Sequence, residues 1–336
     1  MTCSYKPTKF TQVVCMLILL WLCGRPVCGA EPGTAYPPGS EISDQKVGSI
    51  LFYNFYTSSA TGGNTQNTQF TLTNTSTVSA VFVHLFLVAE SGPPADFFRC
   101  LSAVQTTTFL ASDVDPGISG YMIAVAVEAA TGCPLSFNFL SGEATVKLTS
   151  GHQASLPAEA FAALYTGSMP GCDANSVTAT LTFNGITNFD YNRAPRMLAI
   201  DKLRSRADGN ETLLVLNRVG GNLQIGAATL GQVFGVLYND QAVPFTFSFT
   251  GSSQFRAILS NTFPATSPSF ESVIPAGRLG WMKLSPVADV GMLGAVLNFN
   301  ANAGASANAF SGGHNLRKLT FTTTASYTMP VFPPDC

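Results

Sequence analysis

Short runs of β-type residues, separated by turn residues, follow one another from residue 46 to the end of the chain. The runs are rich in Val, Ile, Phe, Tyr and Thr, which strands prefer, and Gly, Pro and Asn lie between them. This spacing predicts an all-β fold of the sandwich type. The predicted strands of the first half are 49–56, 69–73, 80–89, 106–111, 120–127, 135–140 and 144–149. Both faces of 80–89 are apolar, which predicts a central strand.

The second half of the chain repeats short sequence elements of the first half in the same order. GYM at 120–122 corresponds to GWM at 280–282, and a Gly-His step ending at His152 corresponds to one ending at His314. We therefore predict two related, tandemly duplicated immunoglobulin-like β-sandwich domains, which would span 46–192 and 193–336. The two histidines could mark a duplicated site or a turn that was inherited twice.

The segment 155–165 (SLPAEAFAALY) breaks the β pattern. Ser155 suits a helix N-cap and Pro157 suits the first turn. Leu156, Ala160 and Leu164 would share one helical face. The segment therefore predicts one short helix that lies over the end of the first domain.

The first thirty residues have the three parts of a secretory signal. A basic head with Lys6 and Lys9 precedes the apolar run 13–23, and small residues end at Ala30. Cleavage after Ala30 would leave a mobile Pro/Gly/Ser linker over 31–45. The alternative, lipidation of Cys23, is disfavoured because the residue before that cysteine is not small. No later apolar run reaches membrane-spanning length, so we expect no transmembrane segment in the mature chain.

Charged residues make up 11 % of the chain, against about a quarter in an average protein. Ser, Thr, Asn and Gly replace them, which is typical of extracellular β-proteins. The formal net charge of −2 argues against general affinity for nucleic acid or for acidic lipid headgroups.

Four cysteines follow the predicted cleavage site, and an even number in an exported chain indicates disulfides. Their spacing fits no zinc or haem motif. Three connectivities are open; Cys100–Cys133 with Cys172–Cys336 is the favoured one.

The stretch 80–165 resembles an uncharacterised group of secreted bacterial β-sandwich proteins. The resemblance depends on the Cys100-Leu101 step and on four motifs. These are TFLASDVDPG at 108–117, GYMIAVAV at 120–127, GCPLSFNFL at 132–140 and GH…AEAFAAL at 151–164. The resemblance implies a bacterial envelope or extracellular origin, and it implies no activity. The second half lacks both the cysteines and the Asp-x-Asp turn.

Asp113 and Asp115 place two carboxylates in one turn, as calcium loops do. Further ligands are missing from the motif, and Pro116 with Gly117 at positive φ would explain the segment as a tight turn. We predict no cofactor, with calcium as the alternative.

A cluster of basic residues lies near the expected domain boundary. It consists of Arg193, Arg196, Lys202, Arg204 and Arg206. It could contact a polyanion, or its charges could protect an edge strand from aggregation.

Aromatic residues could form a sugar-stacking platform, but 25 Phe against two Trp favour a role in filling the core. The residues considered are Tyr53, Phe55, Tyr56, Tyr121, Trp281 and Phe299.

No catalytic motif is recognisable, and no nucleophile lies in a G-x-S-x-G frame. The expected function is therefore that of a secreted, non-enzymatic structural or adhesive protein of the bacterial surface or matrix. Its partners would be a surface polymer or other copies of itself. The alternative is a carbohydrate- or surface-polymer-binding module, followed by a secreted hydrolase with dispersed residues. An exposed aromatic strip would favour the binding module.

Overall fold

The computed structural model describes residues 41–60, 65–90, 92–301 and 309–336. The predicted signal, 1–30, and most of the predicted linker lie outside these residues. The last five linker residues are described: Ile42 is buried, and Ser43 pairs with Ala160. No helix among the described residues has the length and apolar character needed to cross a membrane.

The structure is all-β, as predicted. The strands are β1 Ile50–Thr57, β2 Asn67–Asn74, β3 Val81–Ala89, β4 Ala95–Leu101, β5 Thr106–Leu110, β6 Ser119–Val127, β7 Leu140–Lys147, β8 Gln153–Pro157, β9 Glu159–Phe161, β10 Thr178–Thr182, β11 Ala194–Arg204, β12 Asn210–Val219, β13 Gly221–Asn222, β14 Gly226–Ala227, β15 Gly231–Tyr238, β16 Pro244–Gly251, β17 Gln254–Ile258, β18 Leu279–Pro286, β19 Gly291–Asn300, β20 Gly312–Asn315, β21 Arg317–Thr322 and β22 Ser326–Pro330. The short helices are α1 Ala111–Val114, α2 Phe270–Val273 and a 3-10 turn, Arg206–Asp208.

The helix predicted over 155–165 is wrong, because this segment forms β8 and β9. Exposed and buried residues alternate along β8, with Ala154 and Leu156 facing the core. This period of two belongs to a strand that covers a core with one face. Strand β8 pairs with β7, and β9 pairs with β1, so sheet hydrogen bonds satisfy the backbone that a helix would have satisfied internally.

The strands form five sheets. They are sheet I, β4-β3-β6-β1-β9; sheet II, β5-β2-β7-β8; sheet III, β16-β15-β18-β11-β21; sheet IV, β17-β12-β19-β20; and sheet V, β10-β22-β13-β14. Strand β3 lies between β4 and β6, which confirms the predicted central strand.

The prediction of two tandem immunoglobulin-like sandwiches is wrong. Five sheets of four or five strands match the number and size of the blades in a five-bladed β-propeller. Neighbouring strands within each sheet are nevertheless often not consecutive in the chain, whereas a propeller blade is usually a consecutive meander. Sheet V is the feature that a tandem arrangement does not allow, because it joins β10 to β22 at the far end of the chain. All described residues fall within one compact unit, and the predicted boundary between 192 and 193 stays a prediction.

Sheets III and IV have the same strand order as sheets I and II, with β11 in the place of β1 and β18 in the place of β6. One apolar core lies between sheets I and II, and another lies between sheets III and IV. The two pairs differ on their outer faces. Sheet V covers the outer face of sheet I, where Tyr121 and Val88 share a third core with Leu181 and Tyr327.

His84 is a buried titratable residue beneath the C-terminal segment. Its ring stacks on Phe98 at 4.2 Å, and its Nε2 lies 2.8 Å from Asp96. Burial lowers the pKa of His84, and the Asp96 carboxylate only partly opposes this effect. The unfolded chain therefore binds this proton more readily than the folded chain does.

Stability should consequently fall as the pH drops through the unfolded value of about 6.5 towards the lower folded value, by at most about 1.4 kcal/mol per pH unit. We expect His84→Gln to show a smaller loss between neutral pH and pH of about 5.5. Denaturant unfolding at several pH values measures this, with His314→Gln as the control. An unchanged pH dependence in His84→Gln would contradict the prediction.

Candidate functional site

The outer face of sheet III carries the candidate site. Along β15, Val233 and Leu237 point into the core, and the alternate residues, Phe234 and Tyr238 among them, point outward. Phe234 is 43 % exposed, so this strand presents an aromatic residue to solvent. No described sheet packs on this part of sheet III in the way that sheet V packs on sheet I. The face is therefore accessible in the described structure.

Two aromatic side chains stack on each other at this face. Tyr238 on β15 lies directly opposite Trp281 on β18, and their rings stack at 4.3 Å with an interplanar angle of 7°. The Lys283 ammonium lies 5.5 Å from the Tyr238 ring centroid and 5.3 Å from that of Trp281. We call these three residues the aromatic shelf. Stacking holds each ring in a fixed orientation, so a ligand would bind to a surface that is already ordered.

An open concavity of about 280 Å³ lies beside Trp281. Its polar lining includes Asp201, Asn239 and Asp240. Asp201 occurs where the pairing of β11 with β18 shifts register, and this irregularity leaves it exposed. The concavity thus combines an aromatic wall with carboxylate and amide groups.

Arginine side chains hold the two carboxylates. Arg317 Nε lies 3.2 Å from Asp201, and Arg278 Nη1 donates to Asp240 at 2.7 Å. Charge-assisted hydrogen bonds of this kind orient the acceptor oxygens. The carboxylates can still accept hydrogen bonds from ligand hydroxyl groups with their remaining lone pairs.

The corresponding pair on sheet I has a structural role. Val88 lies opposite Tyr121 there, just as Tyr238 lies opposite Trp281 on sheet III. Val88 and Tyr121 are fully buried beneath sheet V. The same sheet position is therefore part of a core in one half of the chain and open to solvent in the other.

Trp281 and Phe299 are the two predicted core aromatics whose assignment was wrong. Tyr53, Phe55, Tyr56 and Tyr121 are buried as expected, whereas Trp281 and Phe299 are only half-buried. Tyr238 was not identified from the sequence. The signal that could have found Tyr238 was the period of two along 231–238, which places Phe234 and Tyr238 on the face opposite to Val233 and Leu237.

The calcium candidates take part in local structure. Asp113 lies within α1, and Asp115 caps its end while its side chain accepts a hydrogen bond from Tyr56. Burial raises the pKa of Asp115, and the Tyr56 hydrogen bond opposes the rise. Gly117 has the positive φ that a tight turn needs. Among the described residues, no group of three or more His, Cys, Asp or Glu could hold a metal ion.

The four cysteines form two disulfides, and the favoured pairing is wrong. Cys100 pairs with Cys336, and Cys133 pairs with Cys172. The physical reason is sheet V, because β22 returns the chain to its first half, and the segment after β22 packs on β4 through Phe332 and Phe98. Cys133 instead pairs with Cys172, which lies only 39 residues further along the chain.

The two predicted histidines lie on neighbouring elements. His152 directly precedes β8 and His314 lies on β20, and these strands approach closely at Ala154 and Gly313. The His152 ring stacks on Phe299 at 5.9 Å, and burial lowers its pKa. His314 lies 3.9 Å from Asp201. The two histidines therefore have different partners, and no described contact joins either of them to the aromatic shelf.

Most of the basic cluster is engaged within the protein. Arg193 pairs with Glu41, Arg196 lies 3.5 Å from Asp289, and Arg206 lies 3.9 Å from Glu271. Arg204 lies over the Phe310 ring at 3.9 Å, and Lys202 is exposed. The structure therefore does not bring the five cations together as one free polyanion-binding surface.

Comparisons with known proteins identify no family for this chain. No family model matches it, and no curated protein matches it. Among solved structures, it is similar to the formate complex of oxalate decarboxylase from Lactobacillus farciminis, with 8 % sequence identity and a TM-score of 0.17. The similarity covers 76 % of this chain and 78 % of that chain. A TM-score this low supports no argument about fold or chemistry, so the family stays unassigned.

Proposed function

We propose that this protein is an exported, non-enzymatic adhesive protein that binds a surface carbohydrate on the outer face of sheet III. The observation that carries the proposal is the half-exposed Tyr238–Trp281 stack beside a concavity with polar walls. The apolar C–H faces of sugar rings pack on aromatic rings, and their hydroxyl groups need oriented acceptors and donors. The aromatic shelf, Asp201 and Asp240 supply both kinds of contact.

Export is part of the same proposal. The sequence pattern of residues 1–30 supports it, and so do the two disulfides, since structural disulfides persist in oxidising compartments. The mature protein would then begin at Glu31. N-terminal sequencing of protein recovered from the native host tests this, and a mature chain that retains residues 1–30 would contradict it.

Trp281→Ala should weaken glycan binding by about tenfold, which corresponds to about 1.4 kcal/mol of lost stacking. The experiment measures binding of the purified protein to immobilised oligosaccharides and cell-surface polysaccharides. Phe189→Ala is the matched control, because Phe189 is 59 % exposed and lies outside the aromatic shelf. Wild-type protein that binds no glycan, or Trp281→Ala protein that binds as well as wild type, would overturn the proposal.

A further inference from the structure

A lysine and a glutamate meet inside the protein between two edge strands. Glu159 lies on β9 at the edge of sheet I, and Lys318 lies on β21 at the edge of sheet III. The Glu159 side chain is completely buried, and that of Lys318 is 14 % exposed. The Lys318 Nζ atom lies 2.6 Å from Glu159 Oε2. The pair therefore joins the two halves of the chain at a site almost closed to water.

The Glu159 carboxyl group is poorly satisfied for a buried charge. Neither Oε1 nor Oε2 makes a hydrogen bond of good geometry, so the Lys318 ammonium meets Oε2 as an ion pair only. Burial raises the pKa of Glu159 to about 7, an effect that the Lys318 ammonium opposes and the Asp44 carboxylate reinforces. A buried ion pair is favourable only where further hydrogen bonds satisfy the remaining lone pairs. Burial therefore favours the neutral acid over the charged carboxylate.

We propose that Lys318 and Glu159 condense to form an intramolecular isopeptide bond. A proton passes from the ammonium group to the carboxylate, which leaves a neutral amine beside a neutral acid. The amine lone pair attacks Glu159 Cδ, the N–C bond forms, and one C–O bond breaks. The departing carboxylate oxygen leaves with two protons of the original ammonium group as one water molecule. The products are a secondary amide and water, and no other reactant is needed.

The fold favours this condensation in two ways. It holds the amine against the carboxyl group, and well-oriented intramolecular reactions reach effective molarities of about 10⁵–10⁸ M. The site also excludes most water, which would otherwise stabilise the separated ions. The amide replaces a buried, incompletely bonded carboxylate with a neutral carbonyl. This inference is independent of the proposed carbohydrate binding.

Peptide mapping of the reduced, full-length protein tests the bond. In wild type, we expect trypsin to leave Lys318 uncleaved, because an acylated lysine is no longer a cation. The peptide that contains Lys318 should be joined to the peptide that contains Glu159, at the sum of their masses less one water. Separate recovery of the two peptides, with cleavage after Lys318 and an unmodified Glu159, would overturn the proposal.

Two variants make the result specific. Lys318→Arg keeps the positive charge but lacks a nucleophilic amine, so the joined peptide should disappear. Lys147→Arg replaces a lysine outside the pair, so the joined peptide should remain. The wild-type map decides the question even if Lys318→Arg protein does not fold, because it needs no variant. A joined peptide that persists in folded Lys318→Arg protein would also overturn the assignment.

Discussion

Asn217→Ala is expected to lower the free energy of unfolding by about 4 kcal/mol, because it leaves two buried polar groups without partners. Asn217 is completely buried. Its Nδ2 donates to the Asn54 backbone oxygen at 2.8 Å, and its Oδ1 accepts from Gln254 Nε2 at 2.8 Å. An unsatisfied buried group costs about 1–3 kcal/mol. Alanine at position 217 leaves both the Asn54 backbone oxygen and the Gln254 amide nitrogen without a partner.

The effect should be global, because Asn217 belongs to a buried network that joins the two halves of the chain. Asn54 on β1 also donates to Asn315 Oδ1 at 2.9 Å, and Asn315 donates to the Pro157 backbone oxygen at 2.7 Å. Strands β1 and β8 thus connect with β12 and β20 through side-chain amides. Loss of the central amide weakens the contact between the halves as well as one strand.

Thermal and denaturant unfolding measure this prediction. We expect the Tm of Asn217→Ala to fall by about 5–8 °C, given the size of the unfolding entropy for a unit of this length. Asn175→Ala is the control, because Asn175 is exposed and its side chain has no described hydrogen bond. A change of less than 1 kcal/mol in Asn217→Ala would show that the network does not hold the halves together, since each orphaned group alone costs about that much.

The sequence pattern predicted a strand correctly where both faces of the strand were apolar. The run 80–89 is apolar on both faces, and it forms the central strand β3. The segment 155–165 failed because its alanines and leucines fit a helical face as well as a strand face. The segment became strands because it pairs with β7 and β1. The complete fold brings these two strands beside it, and the local sequence does not encode that.

The candidate site was hidden for a related reason. Trp281 corresponds in sequence to Tyr121, and Tyr121 is buried, so the sequence alone favoured the core for both. Their different environments come from sheet V, which covers Tyr121. Sheet V forms between β10 and β22, which lie far apart in the chain, and short motifs do not encode such a pairing. The same long-range return of the C-terminus decided the disulfide pairing.

Removal of the Cys100–Cys336 disulfide should destabilise the protein more than removal of Cys133–Cys172. The first pair is separated by 236 residues and the second by 39. In the chain-entropy view, a crosslink restricts the unfolded chain more when it closes a longer loop, which gives about 5.5 and about 4 kcal/mol at 25 °C. The C-terminal segment is also docked, because Phe332 packs edge-on against Phe98 at 5.4 Å.

The two double serine variants, Cys100→Ser with Cys336→Ser and Cys133→Ser with Cys172→Ser, test this order in the same denaturant experiment. Each variant serves as the control for the other, since each removes one crosslink and adds two hydroxyl groups. Non-reducing peptide maps should first show Cys100 joined to Cys336 in wild type. A clearly larger loss in the Cys133–Cys172 variant would mean that the C-terminal segment detaches at little cost. Sheet V would then hold the end of the chain through β22 alone, and the covered face of sheet I would depend on strand pairing rather than on the crosslink.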